Sequence, residues 1–334
     1  VAPDSVAEDP RFPVVRTFRR LHGIAHYSSR FPAELAAYAR KRPLDLVFSA
    51  NKGPVWAPCP KVLMVQDLSF VHYPNHYPPT NYRLLMEIVP RLARRARVVL
   101  TVSEHARNDL IEGLGLPEDR VFVAPNMIAP PPPVGADDEA RGATWLKEHG
   151  ITGPFLLYLG NLHRRKNVVR TVRAFIEAKA NHPELAEHQM AIAGAAWWGS
   201  EAEHEATADA PPGSVVYLGR VDDWQREVVL HLASALSYVS IFEGFGLPPL
   251  EAMARGTAVL TSNATSLPEV VGDAALQVDP FDEHAIAEGI TRILTDDRLR
   301  EELVARGGPR AAMFTAARTG QAAMTAFRTA LAPT

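Results

Sequence analysis

The sequence predicts an α/β protein made of two doubly wound units that face each other across a cleft. Three observations lead there. Short apolar, β-prone runs alternate with helix-like stretches along most of the 334 residues. Many of these runs end in polar or glycine-containing turns, as parallel strands do beside a ligand crevice. Four consecutive prolines, Pro130 to Pro133, interrupt the alternation as an extended linker does. The length also favours two domains over one.

In chain order, residues 1–30 carry scattered prolines and arginines and a short strand near Val14-Val15. Ala33 to Arg40 reads as a helix. Strands follow at Leu44–Phe48, at Lys61–Val65 (ending on Gln66-Asp67), at Val98–Val102 and at Val121–Val123 (ending at Pro125-Asn126). A long helix is expected over Tyr82 to Arg95, because Leu84, Leu85, Ile88, Val89 and Leu92 share one face; Pro90 implies a kink or break in it. Ser103 fits an N-cap for a helix through Leu110. The boundaries are then 1–130 for the first unit, 131–142 for a proline-rich and acidic linker, 143–315 for the second unit, and 316–334 for a C-terminal helix that packs back on the first.

The second half opens with a helix near Ala143 to His149. Its strands are read at Phe155–Leu159 (ending at Gly160-Asn161), Met190–Ala193 (ending at Gly194), Val215–Leu218 (ending at Gly219-Arg220), Val239–Phe242, Ala258–Thr261 and Ala275–Val278. Its helices are read over Asn167–Ala180, Val228–Ala235, His284–Leu294, Asp297–Ala305 and Thr319–Leu331.

The totals exclude several functions. A net charge of −3 gives no global drive toward nucleic acid. The single cysteine, Cys59, allows no internal disulfide, and no Cys/His spacing suggests zinc, so a reducing compartment fits. No apolar run approaches the roughly 20 residues that cross a bilayer. The start at Val1 is not a signal peptide, and without a methionine it implies missing residues before it. The expected location is cytoplasmic, with or without peripheral contact to the inner face of the membrane; Arg91, Arg94, Arg95 and Arg97 are the candidate lipid contacts, against the plainer reading of a solvated helix face.

Two stretches carry the chemistry. The run from Ser240 to Ala254 reads as a strand end, a glycine turn and a helix start, with Gly244 and Gly246 bracketing Phe245 and Pro248-Pro249 in the first helical turn. Such a start is an anion site, and Glu243 and Glu251, with seven residues between them, can accept hydrogen bonds from sugar hydroxyls. The second stretch, Gly160 to Asn167, places Arg164, Arg165 and Lys166 at another helix start, where cations oppose the helix dipole unless an anion binds. His72 and His76 read as surface-loop histidines ahead of acceptor-side bases or polar contacts, and His163, beside the arginines, reads equally as a donor or acceptor contact and as neither. Trp197-Trp198 either stacks near a nucleotide or packs in the core.

Together these segments resemble glycosyltransferase family 4, retaining, nucleotide-sugar-dependent enzymes with the GT-B fold of two Rossmann-like domains. The resemblance rests on Glu243-Gly244-Phe245-Gly246-Leu247-Pro248-Pro249-Leu250-Glu251, on Tyr158-Leu159-Gly160 with Arg165-Lys166-Asn167, on Leu218-Gly219-Arg220-Val221, on Leu267 to Ala275, and on Gln66-Asp67-Leu68-Ser69-Phe70 and Thr101 to Glu104. It implies that Lys166 and Arg165 bind the donor diphosphate beside Gly160 and Asn161. Glu251 would hold the ribose. Glu243 and the backbone of Phe245, Gly246 and Leu247 would hold the transferred sugar and phosphate. Arg220 and Val221, with Gly194 nearby, would lie by the base, and Gln66 and Asp67 would form the acceptor-side wall. No cofactor and no metal are expected, since cations and N–H donors can stabilise the leaving diphosphate. The implied partners are a nucleotide sugar and a glycan, lipid-linked or small-molecule acceptor. Three features depart from the family: Asn161 stands where many relatives have arginine, Gln66 where many have histidine, and the first strand and glycine-rich loop are not visible before residue 30. The alternatives are a nucleotide-sugar epimerase or hydrolase of the same fold, or a nucleotide-sugar-binding protein without turnover.

Overall fold

The computed structural model describes residues 31–41, 43–50, 52–208 and 210–333. The reading of a strand near Val14-Val15 and of the missing first strand and loop falls outside them. The first unit contains α1 (Phe31–Lys41), β1 (Val47–Ala50), β2 (Lys61–Met64), α2 (Ser69–His72), α3 (Pro79–Arg95), β3 (Val98–Thr101), α4 (Glu104–Leu114) and β4 (Val121–Val123). The second runs through α5 (Ala136–Glu148), β5 (Phe155–Leu159), α6 (Val168–Asn181), β6 (Gln189–Ala193), α7 (Glu201–Ala208), β7 (Val215–Gly219), α8 (Asp223–Leu232), β8 (Ala235–Tyr238), α9 (Leu247–Ala254), β9 (Val259–Ser262), α10 (Leu267–Val271), β10 (Leu276–Val278), α11 (Glu283–Thr295), α12 (Asp297–Ala311) and α13 (Ala316–Leu331).

Both sheets are parallel. The first has the order β1-β2-β3-β4 and the second β10-β9-β8-β5-β6-β7. Each strand of the second sheet that lies at its centre feeds two cores: Phe155, Leu157 and Leu159 of β5 face one cluster with α5, α8 and α9, while Leu156 and Tyr158 face the other with α6 and α11. In the first sheet, Leu63 and Val99 face α3 and α4, and Val62, Val98 and Leu100 face Ala326 and Ala330 of α13. The chain therefore returns at its end to cover the first sheet. The order of the second sheet reverses between β5 and β8, and this switch point is where doubly wound sheets open a ligand crevice.

Several boundaries differ from the sequence reading. The strand expected at Val239–Phe242 lies earlier, at Ala235–Tyr238, and the helix expected at Val228–Ala235 is α8. A capping box between Asp222 and Gln225 starts that helix early, and the Ile241 N–H leaves the sheet to bond the Arg165 carbonyl at 2.9 Å. Asp137, Asp138 and Glu139 belong to the first turn of α5, not to a linker; carboxylates there favour the helix dipole. Helix α3 runs unbroken across Pro90, whose missing N–H deprives only the carbonyl of Met86, a residue open to water. The short helices α2, α7 and α10 were not read from the sequence.

The two units meet closely. The Ser103 hydroxyl, besides accepting the Ala106 N–H as N-cap of α4, donates to the Gly244 carbonyl at 2.7 Å. The Glu269 carboxylate of α10 accepts the N–H groups of Glu104 at 2.8 Å and His105 at 3.1 Å, capping α4 from across the cleft. Gly244 lies so near the end of β2 that a Cβ there would stand 2.5 Å from the Gln66 carbonyl oxygen. No helix of the described residues is long and apolar enough to cross a membrane. Of the four arginines near α3, Arg91 pairs with Glu87, Arg94 donates to the Leu114 carbonyl and Arg97 to that of Ala332.

Candidate active site

A cavity of about 500 Å³ opens between the C-terminal strand ends of the two sheets. Gln66, Asp67, Tyr77, Val102 and Asn126 form its wall from the first unit. Opposite stand the loop after β5, with Gly160, Asn161, His163, Arg165 and Lys166, and the loop after β8, with Glu243 to Pro248 and then Glu251.

An ion triad centred on the buried Glu243 links those two loops. Arg165 Nη1 donates to Glu243 Oε2 at 2.7 Å and to the Phe242 carbonyl at 2.9 Å. Lys166 Nζ donates to Glu243 Oε1 at 2.5 Å and to the Tyr238 hydroxyl. Burial pushes the Glu243 carboxyl up, but Arg165 and Lys166 outweigh it and hold the group at about 2. Burial pulls Lys166 down, Glu243 opposes and Arg165 adds to the fall, leaving it at about 8. Burial also drives the Tyr238 hydroxyl well above its ordinary value, so it stays protonated.

Neighbouring residues fix the backbone of both loops. Thr265 adopts φ 55°, a left-handed conformation costly for a β-branched residue, and its hydroxyl accepts the Glu243 N–H at 3.1 Å. The Ser266 hydroxyl serves the Glu243 and Phe245 carbonyls, each at 2.9 Å. Beneath the other loop, a Cβ on Gly194 would stand 1.8 Å from the Gly160 carbonyl oxygen, so only glycine lets the loop after β5 lie down there. Pro248 and Pro249 remove two N–H groups from the start of α9, so an anion there meets the turn through Leu247, which lines the cavity, and the helix dipole. Glu251 lies one turn on, with Arg226 Nη1 at 3.5 Å.

On the facing wall, Asp67 Oδ1 accepts the Ser69 N–H at 2.9 Å and the Ser69 hydroxyl, which meets the Tyr77 hydroxyl at 2.5 Å. His163 is buried, and burial together with Arg165 and His76 lowers it to about 3. His72 stacks on Phe242 and bonds Asp109 at 2.7 Å. Trp197 lines the cavity and is exposed like Trp198, so neither is a core residue.

Of the residues singled out in the sequence, Gln66, Asp67, Gly160, Asn161, Arg165, Lys166, Glu243, Phe245, Gly246, Leu247 and Glu251 converge on this cavity. Gly194, Arg220 and Val221 do not line it: Gly194 supports the loop from below, Arg220 faces solvent, and Val221 packs against the core. Sequence reasoning missed Tyr238, Tyr77, Thr265 and Arg226. The Tyr158 and Tyr238 pair, at the last turns of two apolar strands, was the available signal for a polar strand end.

The sequence that builds this site is matched by two family models. One, described as glycosyl transferases group 1, covers residues 143–308. The other, described as Glycosyltransferase Family 4, covers residues 2–130, including the stretch before residue 30 where no pattern was legible. The chain belongs to glycosyltransferase family 4. Among family 4 relatives, O-antigen chain mannosyltransferase B of Escherichia coli is 31% identical over 259 residues, 76% of this chain and 66% of that protein. Serotype-specific mannosyltransferase WbdA, also of Escherichia coli, is 29% identical over 238 residues, 70% of this chain. The chain thus spans just under two thirds of the first relative's length and 29% of the second's. A solved structure of Anabaena HepE in complex with UDP and glucose matches with a TM-score of 0.69 at 19% identity, over 88% of this chain and 80% of that one. At that identity the likeness is one of fold, and it agrees with the GT-B arrangement of two parallel sheets across a cleft.

Proposed function

We propose that this family 4 protein is a retaining glycosyltransferase. It moves a hexose, mannose on the evidence of its relatives' names, from a nucleotide-diphosphate donor to a hydroxyl of a polysaccharide, lipid-linked or natural-product glycan. The observation that carries this reading is the Arg165–Glu243–Lys166 triad, set beside the glycine turn at the switch point of the second sheet. Two cations there meet a diphosphate, the amides of the turn through Leu247 add N–H donors, and the start of α9 adds its dipole as charge develops on the leaving group. Glu251, steered by Arg226, accepts from the ribose hydroxyls, and Glu243 accepts from the sugar while holding both cations in place.

In the transfer step the bond from the sugar's anomeric carbon to the diphosphate oxygen breaks. A bond to the acceptor oxygen forms on the same face, and the acceptor's proton passes to a diphosphate oxygen. Arg165 and Lys166 neutralise the leaving group, so transfer is proposed to continue in the presence of a chelator. Gln66 and Asp67 orient the acceptor. The proposed setting is the cytoplasmic side of a membrane on which the acceptor is carried.

A thermal-shift panel of UDP, GDP and dTDP and their hexose conjugates tests this, followed by a transfer assay with and without EDTA. A ligand that binds the native state raises the melting temperature by mass action. If no nucleotide raises it, or if a donor binds tightly and is neither transferred nor hydrolysed, the enzyme reading fails.

A further inference from the structure

His163 occupies the seam between the two units. It precedes the Arg164–Lys166 turn, and its Nδ1 accepts the Arg165 N–H at 3.3 Å, so Nδ1 carries no proton. The ring is neutral over the working pH range, since burial and the neighbouring Arg165, His76 and Lys166 hold its titration at about 3 despite the opposing charge of Glu243. The single ring proton therefore sits on Nε2. That Nε2–H is out of reach of water and has no hydrogen-bond partner among the described residues. A buried donor with no acceptor destabilises the state that contains it.

The surroundings say what the missing acceptor is. The imidazole lines the cavity and is covered by side chains from both units: Tyr77 at 5.3 Å and His76 at 6.1 Å from the first, and Trp197 at 5.7 Å from the second. Tyr77 and His76 meet the imidazole edge to face and Trp197 meets it at a tilt, so the three rings form a largely apolar collar of the kind that suits the C–H surface of a pyranose. The diphosphate has its own counter-charges in Arg165 and Lys166, two and three residues on. A neutral donor among aromatic rings suits a hydroxyl better than a phosphate.

We propose that His163 is a specificity-determining residue whose Nε2–H bonds a hydroxyl of the transferred hexose, trapped between the units beneath Tyr77, His76 and Trp197. This subsite rests on the glycosyltransferase reading and deepens it. It also gives the closed cleft a reason to recognise the sugar, because the donor is satisfied only when a hexose oxygen is enclosed with it.

The test compares His163→Leu, which removes the donor, with His163→Gln, whose amide N–H can stand near the position of Nε2. Titration calorimetry uses UDP and GDP against UDP-glucose and GDP-mannose, with transfer kinetics on whichever donor the wild type uses. The expected result for His163→Leu is unchanged nucleoside diphosphate affinity, with about tenfold weaker binding and a raised KM for the sugar conjugate. His163→Gln recovers most of that loss and keeps the wild-type pH profile. Equal affinity of wild type and His163→Leu for the sugar conjugate overturns the proposal. So does a loss of kcat in both variants that removes a limb of the pH profile, which would make the ring a proton carrier. Should His163→Leu unfold, the same comparison is read from His163→Gln and His163→Asn, where equal sugar affinities again overturn it. If the wild type binds none of UDP, GDP and dTDP, the glycosyltransferase reading itself fails and this subsite fails with it.

Discussion

The two walls of the cleft are built from different chemistry. The second unit's wall carries fixed charge: Glu243 is buried, the half-buried Arg165 and Lys166 both pair with it, and Thr265, Ser266 and Gly194 fix the loops that carry them. The first unit's wall is mostly neutral at the cavity: the Gln66 and Asn126 amides and the Tyr77 hydroxyl, with Asp67 engaged by Ser69. Fixed charges that are already oriented suit a ligand part that is always the same, a diphosphate. Neutral donors, acceptors and rings suit a part that differs between relatives, the acceptor. The division also explains why one wall is the more legible in sequence.

The comparison is broken most severely by removing the charges. Lys166→Ala and Glu243→Ala are each expected to lower kcat/KM by about 10²–10³, the scale for losing one preorganised charge contact at a developing anion. Because both belong to one triad, the double variant should lose little more than the worse single one. Assaying released nucleoside diphosphate across the three variants checks this; additive losses would mean that Glu243 does not act by holding Lys166 in place. The matching substitution on the neutral wall, Gln66→Ala, should raise the acceptor KM while leaving nucleotide affinity alone.

Gly244 is where the walls touch. Gly244→Ala drives a Cβ against the Gln66 carbonyl, a backbone atom that cannot swing aside, and against the Asp67 side chain. Transfer should fall by about 10², while nucleoside diphosphate binding, which depends on the second unit, changes by only a few-fold. A variant with wild-type transfer would show that the closed contact is dispensable.

The charges also set a pH response that the neutral wall lacks. Lys166 sits at about 8, lowered chiefly by burial. It is charged below that pH and loses its proton above it, so kcat/KM should decline roughly tenfold per pH unit above about 8. Lys166→Arg should move that limb to higher pH, because a guanidinium keeps its charge. A limb that stays in place would assign it to another group.

The sequence showed the second unit well because its site lies on strand-to-helix turns with glycine, proline and charge in register, from Gly160 to Asn167 and from Glu243 to Glu251. What escaped was long-range. Nothing local indicates that Arg165 and Lys166 close on Glu243 more than 70 residues away, or that Thr265 and Ser266 hold that turn. The strand was placed four residues late because Val239 to Phe242 is as apolar as a strand; past Tyr238, Val239 still packs in the core, while Phe242 lies against His72 and His105 of the other unit. The first unit's short strands gave the right order of elements. Its wall was harder to read, because histidines and tyrosines such as His76 and Tyr77 look alike on a surface loop and in a cavity.

The mildest test leaves both walls intact and loosens what holds them together. The Glu269 carboxylate accepts two N–H groups at the start of α4, so it satisfies free helix donors and complements the dipole from the other unit. Ser103 already caps the same helix from within, so the fold of the first unit should survive the loss of Glu269. The closed cleft is what loses stability, by about 1–2 kcal/mol for an exposed, charge-assisted contact of this kind. Glu269→Ala should therefore reduce transfer about fivefold through a higher acceptor KM, with the melting temperature and nucleoside diphosphate affinity near wild type. Glu269→Gln keeps an acceptor without the charge and should fall between the two. Added salt should narrow the gap between wild type and Glu269→Gln, since only the charged part of the contact is screened. If Glu269→Ala instead unfolds the first unit at lower temperature, the carboxylate serves α4 itself, and the link between the walls lies with Ser103 and Gly244 alone.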